Sequence, residues 1–445
     1  MVLLSSLAIL TVFSTSRLAY AGTGNGNGDS GGSSLTDRIK NVVVLILENR
    51  SFDNIAGDFT YTGDIDGLVH TKHCNPINIT DLSLGTICAT PTLPNINPDD
   101  PNHSITGTNM GLYSKFHPTT TDKENMQGFV YEQGLTYNTT NITRKAEIIE
   151  YYSENHVPVL RSLAENYVLF DQWFCAVPGP TNPNRAYITS GTSFGHGRND
   201  DAYNNVAIPT RSIFQELSEK GIPWINYFNS SFAPDSLFYN WTVSSGAAKT
   251  NVKPLTQFYM DAKAGTLPKF SYINPECCSL QSFHPPSSAT DGQIFVKSIY
   301  EALRSSPQWN QTLFILTFDE AGGFADHVPP PVGVPPGDHL TYTETAQDGQ
   351  NYTFDFTRLG TRVPAYLISP WVGKGVVEHG GKGGGGEVGP NSGDIYTHTS
   401  ILTFLSNLWG LEYLTPRVAW SASFEHLFLE KQRDTLQTLP TPVEF

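Results

Sequence analysis

The stretch VVVLILENRSFDN, from Val42 to Asn54, restricts the fold more than any other part of the chain. A continuous apolar run rich in β-branched residues suits a strand buried on both faces, because a strand with one wet face alternates apolar and polar positions. The run then breaks into Glu48, Asn49, Arg50 and Ser51. Polar groups at the tip of a buried strand are costly unless something there uses them. The stretch therefore reads as a strand that delivers a carboxylate and an amide to a site.

Four further runs, YVLFDQWFCAV, IPWINYF, TLFILTFDE and RVPAYLISPWV, have strand character. Between them NITRKAEIIEYYSENHVPVLRSLAENY, RSIFQELSEKG, DGQIFVKSIYEALRSS and HTSILTFLSNLWG carry helical periodicity. This alternation predicts an α/β domain whose mostly parallel sheet lies between layers of helices, with the ligand site beyond the carboxyl ends of the strands. The chain has 445 residues, room for one large domain or several small ones. No repeat and no second linker divides it, so residues 36–445 are taken as a single domain. Aromatic residues at 12% and charged residues at 16% exclude a disordered chain. The net charge of -15 argues against a nucleic-acid partner and against bulk attraction to anionic membranes.

Residues 1–21 combine an apolar core with Ala19-Tyr20-Ala21, a small-x-small cleavage pattern before Gly22, and are expected to be a signal peptide. A membrane anchor is the alternative, but the segment is short for a span and no later segment reaches the roughly 18 apolar residues a transmembrane helix needs. The expectation is a secreted, extracellular protein with no transmembrane segment. Residues 22–35, rich in Gly and Ser, read as a flexible linker, and the glycine-rich Gly380–Gly393 stretch as a mobile surface loop. Sequons at Asn78, Asn138, Asn141, Asn229, Asn240, Asn310 and Asn351 are expected on surface loops of a glycoprotein. Among Cys74, Cys88, Cys175, Cys277 and Cys278, the first two flank a loop-like stretch and are the expected disulfide, and no zinc-knuckle spacing occurs.

A second apolar run ends in the same way as the first, in Asp319-Glu320 followed by a glycine turn and Asp326-His327. Two strand tips that both offer oxygen ligands suit a hard or borderline divalent cation, Mg, Ca, Mn or Zn. The alternative is that Glu48 and Asp319 are helix caps or surface ion pairs. Thr181 lies in the proline-punctuated turn AVPGPTNPNR before a predicted helix. A hydroxyl there could be activated by a cation to attack phosphorus, or could simply cap the helix. His103, His284, His327 and His398 sit in turn-like or cap-like contexts that would fix their rings for phosphate binding or proton transfer.

The blocks ENRSFDN, DPNHS, MQGFV, TNPNR, HPP, FDEAGGFADHVPPP, RLGTRVPAYLISPW and HTSI resemble, in order, those of the phosphoesterase family, which contains phosphatidylcholine-specific and non-specific phospholipases C and secreted acid phosphatases. The resemblance implies an alkaline-phosphatase-like α/β/α sandwich that hydrolyses phosphate esters, with phospholipids as candidate substrates, through a covalent adduct. It implies Glu48, Asn49, Asp319 and Glu320 as metal ligands and Thr181 as a nucleophile that also touches the metal. It further implies His103 and His284, with His327 and His398, as catalytic histidines, and Asn184 and Arg185 as residues that orient the turn or pair with phosphate. The chain departs from the family in one block, where Ala321 stands in DEAGG for the histidine of the usual DEHGG. Asn49 and Asn102 also begin sequons, which a glycan-free site leaves unmodified. Rival readings are a phosphomonoesterase of the acid phosphatase type and a non-catalytic binding protein on the same scaffold.

Overall fold

Val42–Leu47 forms the expected strand, with each of its residues fully buried. The computed structural model describes residues 34–229, 234–275, 281–380 and 394–445. The expected signal peptide, nearly all of the linker, Cys277, Cys278 and most of the glycine-rich loop lie outside these. The described strands of the main sheet are β1 (Asn41–Leu47), β2 (Val168–Phe170), β3 (Trp224–Phe228), β4 (Val252–Pro254), β5 (Phe270–Asn274), β6 (Thr312–Phe318), β7 (Ala365–Ile368) and β8 (Val376–Glu378). Their order across the sheet is β8-β2-β7-β6-β1-β5-β3-β4. All pairings are parallel except those of β7, which runs against both β2 and β6. In β1, β2, β5, β6 and β7 every position is buried, so both faces of the sheet centre are covered, as a mostly parallel α/β sheet requires.

Several sequence boundaries shift. YVLFDQWFCAV is two strands, because the chain turns at the buried Asp171 and Trp173–Phe174 pairs instead with Tyr396–Thr397. The long helical pattern from Asn141 to Tyr167 yields the short helix Ile142–Ala146 and the helix Pro158–Asn166. Pro158 has no N–H and opens the second helix at its first turn, where that donor is not needed. Phe270–Asn274 has its apolar residues interrupted by Ser271 and Asn274 and carries no strand signal in the sequence, yet it lies between β1 and β3 with all of its side chains buried. Asn274 is satisfied there by donating to Asp235 Oδ1 at 2.7 Å.

The Cys74–Cys88 disulfide forms and clamps a short antiparallel pair, while Cys175 is a buried free thiol. Asn138, Asn141, Asn229, Asn240, Asn310 and Asn351 are exposed and Asn78 is partly so, whereas Asn49 is fully buried and closed to any glycan. No helix among the described residues is long and apolar enough to cross a membrane.

Candidate active site

Strand register brings the two polar tips together. β1 and β6 run parallel with Asn41 opposite Thr312 and Leu47 opposite Phe318, so Glu48 and Asp319 leave the sheet side by side. The Asp319 amide donates to Leu47 O at 3.0 Å and the Arg50 amide to Glu320 O at 3.1 Å, which fixes the two chains beyond the last pair. Asn49 adopts a left-handed backbone (φ 57°), a conformation its short polar side chain tolerates, and its amide donates to Asp319 Oδ1 at 3.3 Å. Opposite it, Gly322 has φ 64°, and a Cβ there would meet the Asn49 carbonyl oxygen at 2.6 Å. The glycine of the DEAGG turn is thus what lets the tips close on each other.

The helix Thr181–Ser190 is tied to both tips by Arg185. Its Nε donates to Asp319 Oδ2 at 2.9 Å and its Nη2 to Glu48 Oε1 at 3.0 Å, while Nη1 lies 3.5 Å from Asp235 Oδ2. Thr181 precedes Arg185 by four residues, so the two share the helix face turned to the strand tips. Pro180, and not Thr181, occupies the N-cap position, and Thr181 is partly exposed at the first helical residue. Asn184 holds the preceding turn, accepting from Val177 N at 2.9 Å and donating to the carbonyls of Val177, Gly179 and Pro180.

Two imidazoles face this assembly. His103 donates from Nδ1 to Pro101 O (2.7 Å), leaving Nε2 at 3.8 Å from Glu320 Oε1, and His284 donates from Nδ1 to Pro285 O (2.6 Å). Asp100 links the parts, accepting from Asn49 Nδ2 at 3.2 Å and lying 3.8 Å from both imidazoles. Burial disfavours the charged form of His103, but Glu320 and Asp100 outweigh it and lift the ring to about 9, so it is an imidazolium at neutral pH. Burial raises Glu48 and Glu320 to about 8, against the opposing pull of Arg185 on the first and His103 on the second, and also raises Asp319.

The buried carboxyls Glu48, Asp235, Asp319 and Glu320 share only the cations Arg185 and His103, so full ionisation of all four would leave two negative charges uncompensated. Among the described residues, Asn49 Oδ1 and Glu320 Oε1 are buried oxygens without a hydrogen-bond partner. Orphaned oxygen donors at two adjoining strand tips are of the type that suits a divalent cation, though Glu48, Asp319 and Glu320 do not bring three ligand atoms within 4.8 Å of one another. Both Asp319 carboxylate oxygens, by contrast, already accept protein hydrogen bonds.

The family model described as the Phosphoesterase family matches residues 39–412. The chain belongs to the phosphoesterase family. It is 34% identical over 431 residues to non-specific phospholipase C4 of Arabidopsis thaliana, covering 91% of this chain and 75% of that protein. It is 26% identical over 423 residues to phospholipase C B of Mycobacterium tuberculosis, covering 85% and 74%. Among solved structures it is similar to the lipoteichoic acid synthase LtaP from Listeria monocytogenes, with TM-score 0.37, 11% identity and 87% and 76% coverage. This phosphoesterase is accordingly a hydrolase acting on phosphoric ester bonds.

Three expected site residues of the phosphoesterase have their polar groups engaged by the protein itself. Arg185, expected to orient the turn or pair with phosphate, is 3% exposed and fully engaged by carboxylates, so it braces the site from within. His398 is buried beneath the site, donating from Nε2 to Asp319 O (2.5 Å) and accepting from Trp173 Nε1 (3.2 Å). Burial depresses it to about 4, so it stays neutral and supports Asp319 from behind. His327 is separate, donating to Asp53 Oδ2 at 2.8 Å and Asp66 Oδ1 at 3.1 Å. Asp53, Asp326 and His327 form a cluster of metal-ligand type, but Arg362 already bridges Asp326 (2.9 Å) and Asp53 (3.0 Å) and supplies the positive charge.

Sequence reasoning missed Asp100, Asp235 and Arg362. Asp100 lies in DPNHS, three residues before His103, and Arg362 in RLGTRVPAYLISPW, which holds no other site residue, while Asp235 lies outside the quoted blocks.

Burial opposes the charge on His327, yet its two carboxylate partners lift it to about 10. A folded-state value above the unfolded one (about 6.5) means that this contribution to stability is complete below about pH 6.5 and is lost as pH rises through about 10. The urea midpoint of His327→Gln should therefore fall furthest below that of the parent near pH 6, with the gap closing at alkaline pH; a gap that widens with pH would contradict the assignment.

Proposed function

We propose that the protein is a phospholipase C-like phosphodiesterase using Thr181 as nucleophile. The reading rests on one observation, the meeting of the Glu48-Asn49 and Asp319-Glu320 tips with the Thr181 helix through Arg185. Glu48, Asn49, Asp319 and Glu320 would hold a divalent cation, with Thr181 beside it. When bound, that cation would neutralise phosphoryl oxygens and ease deprotonation of a nearby hydroxyl.

The Thr181 hydroxyl gives up its proton to solvent and forms the new Oγ–P bond. The bond from phosphorus to the leaving alcohol breaks, and an imidazolium, His103 being the charged candidate, protonates the departing oxygen. In the second step the now neutral imidazole takes a proton from water, whose oxygen displaces the Thr181 oxygen and releases the phosphorylated head group, while Thr181 regains from solvent the proton lost in the first step. Asn184 keeps the Thr181 turn in shape and Arg185 keeps the helix against the strand tips.

We further read residues 1–21 as a leader removed before Gly22, residues 22–35 as a linker, and 36–445 as the secreted, glycosylated domain. The experiment compares a nitrophenyl phosphorylcholine diester with nitrophenyl phosphate, each with and without chelator. The expected result is diester turnover that chelator abolishes and added divalent cation restores. Turnover of the monoester alone would assign an acid phosphatase, and silence on both would favour the binding protein.

A further inference from the structure

We propose that Glu132 and Tyr137 are positioning residues for His103, holding its ring where the leaving alcohol departs. This deepens the mechanism above and rests on His103 as its proton donor. The block MQGFV, residues 126–130, has no role in that mechanism, yet it opens the helix Phe129–Thr136 that carries Glu132 and ends against Tyr137.

His103 ends a stretch, residues 97–103, that is neither helix nor strand, and its own ring is tied only through Nδ1 to Pro101 O within that stretch. The stretch is instead fastened from outside. Asn102 Nδ2 donates to Glu132 Oε1 at 2.7 Å, and Tyr137 Oη donates to Asp100 O at 2.6 Å. Arg144, from the neighbouring helix Ile142–Ala146, forks onto Asp99 at 2.6 and 2.8 Å. Asp99, Asp100 and Asn102 are thus held by one helix pair.

Asn102 has little freedom of its own. Its Oδ1 accepts from Ser104 N at 3.1 Å, and a Cβ on Gly107 would meet its side chain at 2.5 Å. Glu132, 1% exposed, is fixed in turn, because Oε1 also accepts from Thr136 Oγ1 (3.2 Å) and Gln347 Nε2 (3.3 Å). The helix reaches this place because Gly128 has no side chain, since a Cβ there would meet Met110 O at 1.7 Å. Met110 lies in the helix Ile105–Tyr113, which begins two residues after His103. The chain is therefore secured on both sides of the imidazole.

Proton donation depends on the distance and angle from His103 Nε2 to the oxygen whose bond to phosphorus is breaking, and a shift of about 1 Å can cost up to about a hundredfold. Its importance also depends on the alcohol. A nitrophenolate leaves without a proton, whereas an alkoxide does not.

The test measures turnover by the full chain of two diesters with one head group, nitrophenyl phosphorylcholine and hexyl phosphorylcholine. Glu132→Ala should lower kcat on the hexyl ester about tenfold or more and on the nitrophenyl ester less than about threefold, with both KM values within about twofold of the parent. Glu132→Gln keeps an acceptor oxygen for Asn102 and should recover most of the hexyl rate. Tyr137→Phe should give the same selective loss to a smaller degree. It serves if Glu132→Ala does not fold, since the ring and its contact with the Arg144 guanidinium (4.2 Å) remain. No loss, or equal losses on both esters, would overturn the proposal.

His103→Ala separates the two readings and should show the same selectivity more strongly. If it does while Glu132→Ala and Tyr137→Phe do not, the positioning role alone fails. If His103→Ala slows both esters alike, or the parent cleaves neither, the mechanism fails and the positioning role with it.

Discussion

Thr181→Ala is expected to lower diester turnover by at least about a thousandfold, equivalent to ~4 kcal/mol of transition-state stabilisation, while leaving the protein folded. The expectation of an intact fold follows from position. Thr181 is partly exposed at the first residue of its helix and is not the N-cap, and the helix is anchored by Arg185 and its turn by Asn184. Removing the hydroxyl therefore breaks no described contact that secures the helix. Thermal melting and circular dichroism should match the parent within experimental scatter. Mass spectrometry of the acid-quenched parent should find a phosphoryl adduct on the peptide containing Thr181, and none in the variant. Substantial turnover by Thr181→Ala would exclude covalent catalysis through this residue. Thr181→Ser, which restores a hydroxyl, should recover much of the rate.

Arg362→Met should be the most destabilising single substitution, at ~3–5 kcal/mol, because it leaves carboxylates buried without their cation. The Arg362 guanidinium is fully buried, bonds Asp326 and Asp53, and donates to the carbonyls of Asp66 (2.8 Å) and Asp171 (2.9 Å). It thereby ties together the chain after β1, the loop after β2 and the loop after β6. Methionine preserves much of the side-chain volume, so a large loss reports the charge and not a cavity. The denaturant midpoint measures the effect, and a loss below about 1 kcal/mol would show that water or protonation replaces the guanidinium cheaply. Acid should narrow the difference. Burial raises Asp326 to about 6, so its protonation at lower pH relieves the uncompensated charge in the variant.

The α/β class and the two strand tips were legible because a wholly apolar run has few alternatives and because each ends in carboxylates. Register carried the rest of that prediction, since parallel pairing of Val42–Leu47 with Leu313–Phe318 leaves Glu48 and Asp319 as neighbours. What stayed hidden depended on tertiary partners. Arg185 reads in sequence as a residue that orients the turn or pairs with phosphate, and only the position of Asp235, fifty residues later, shows that its third side is already occupied. His327 and His398 looked as eligible as His103, because a turn context fixes a ring without revealing what faces its nitrogens. β5 escaped notice because Ser271 and Asn274 interrupt its apolar residues, although the second bonds to a buried aspartate.

The pairing of β1 with β6 has a kinetic consequence. Its two halves are separated by some 270 positions of intervening chain, and contacts that distant form late because a long loop must first be closed. If the site lies where proposed, its two halves are brought together by one of the most non-local events in folding, and a nascent chain that has not yet reached Asp319 holds only the Glu48-Asn49 half.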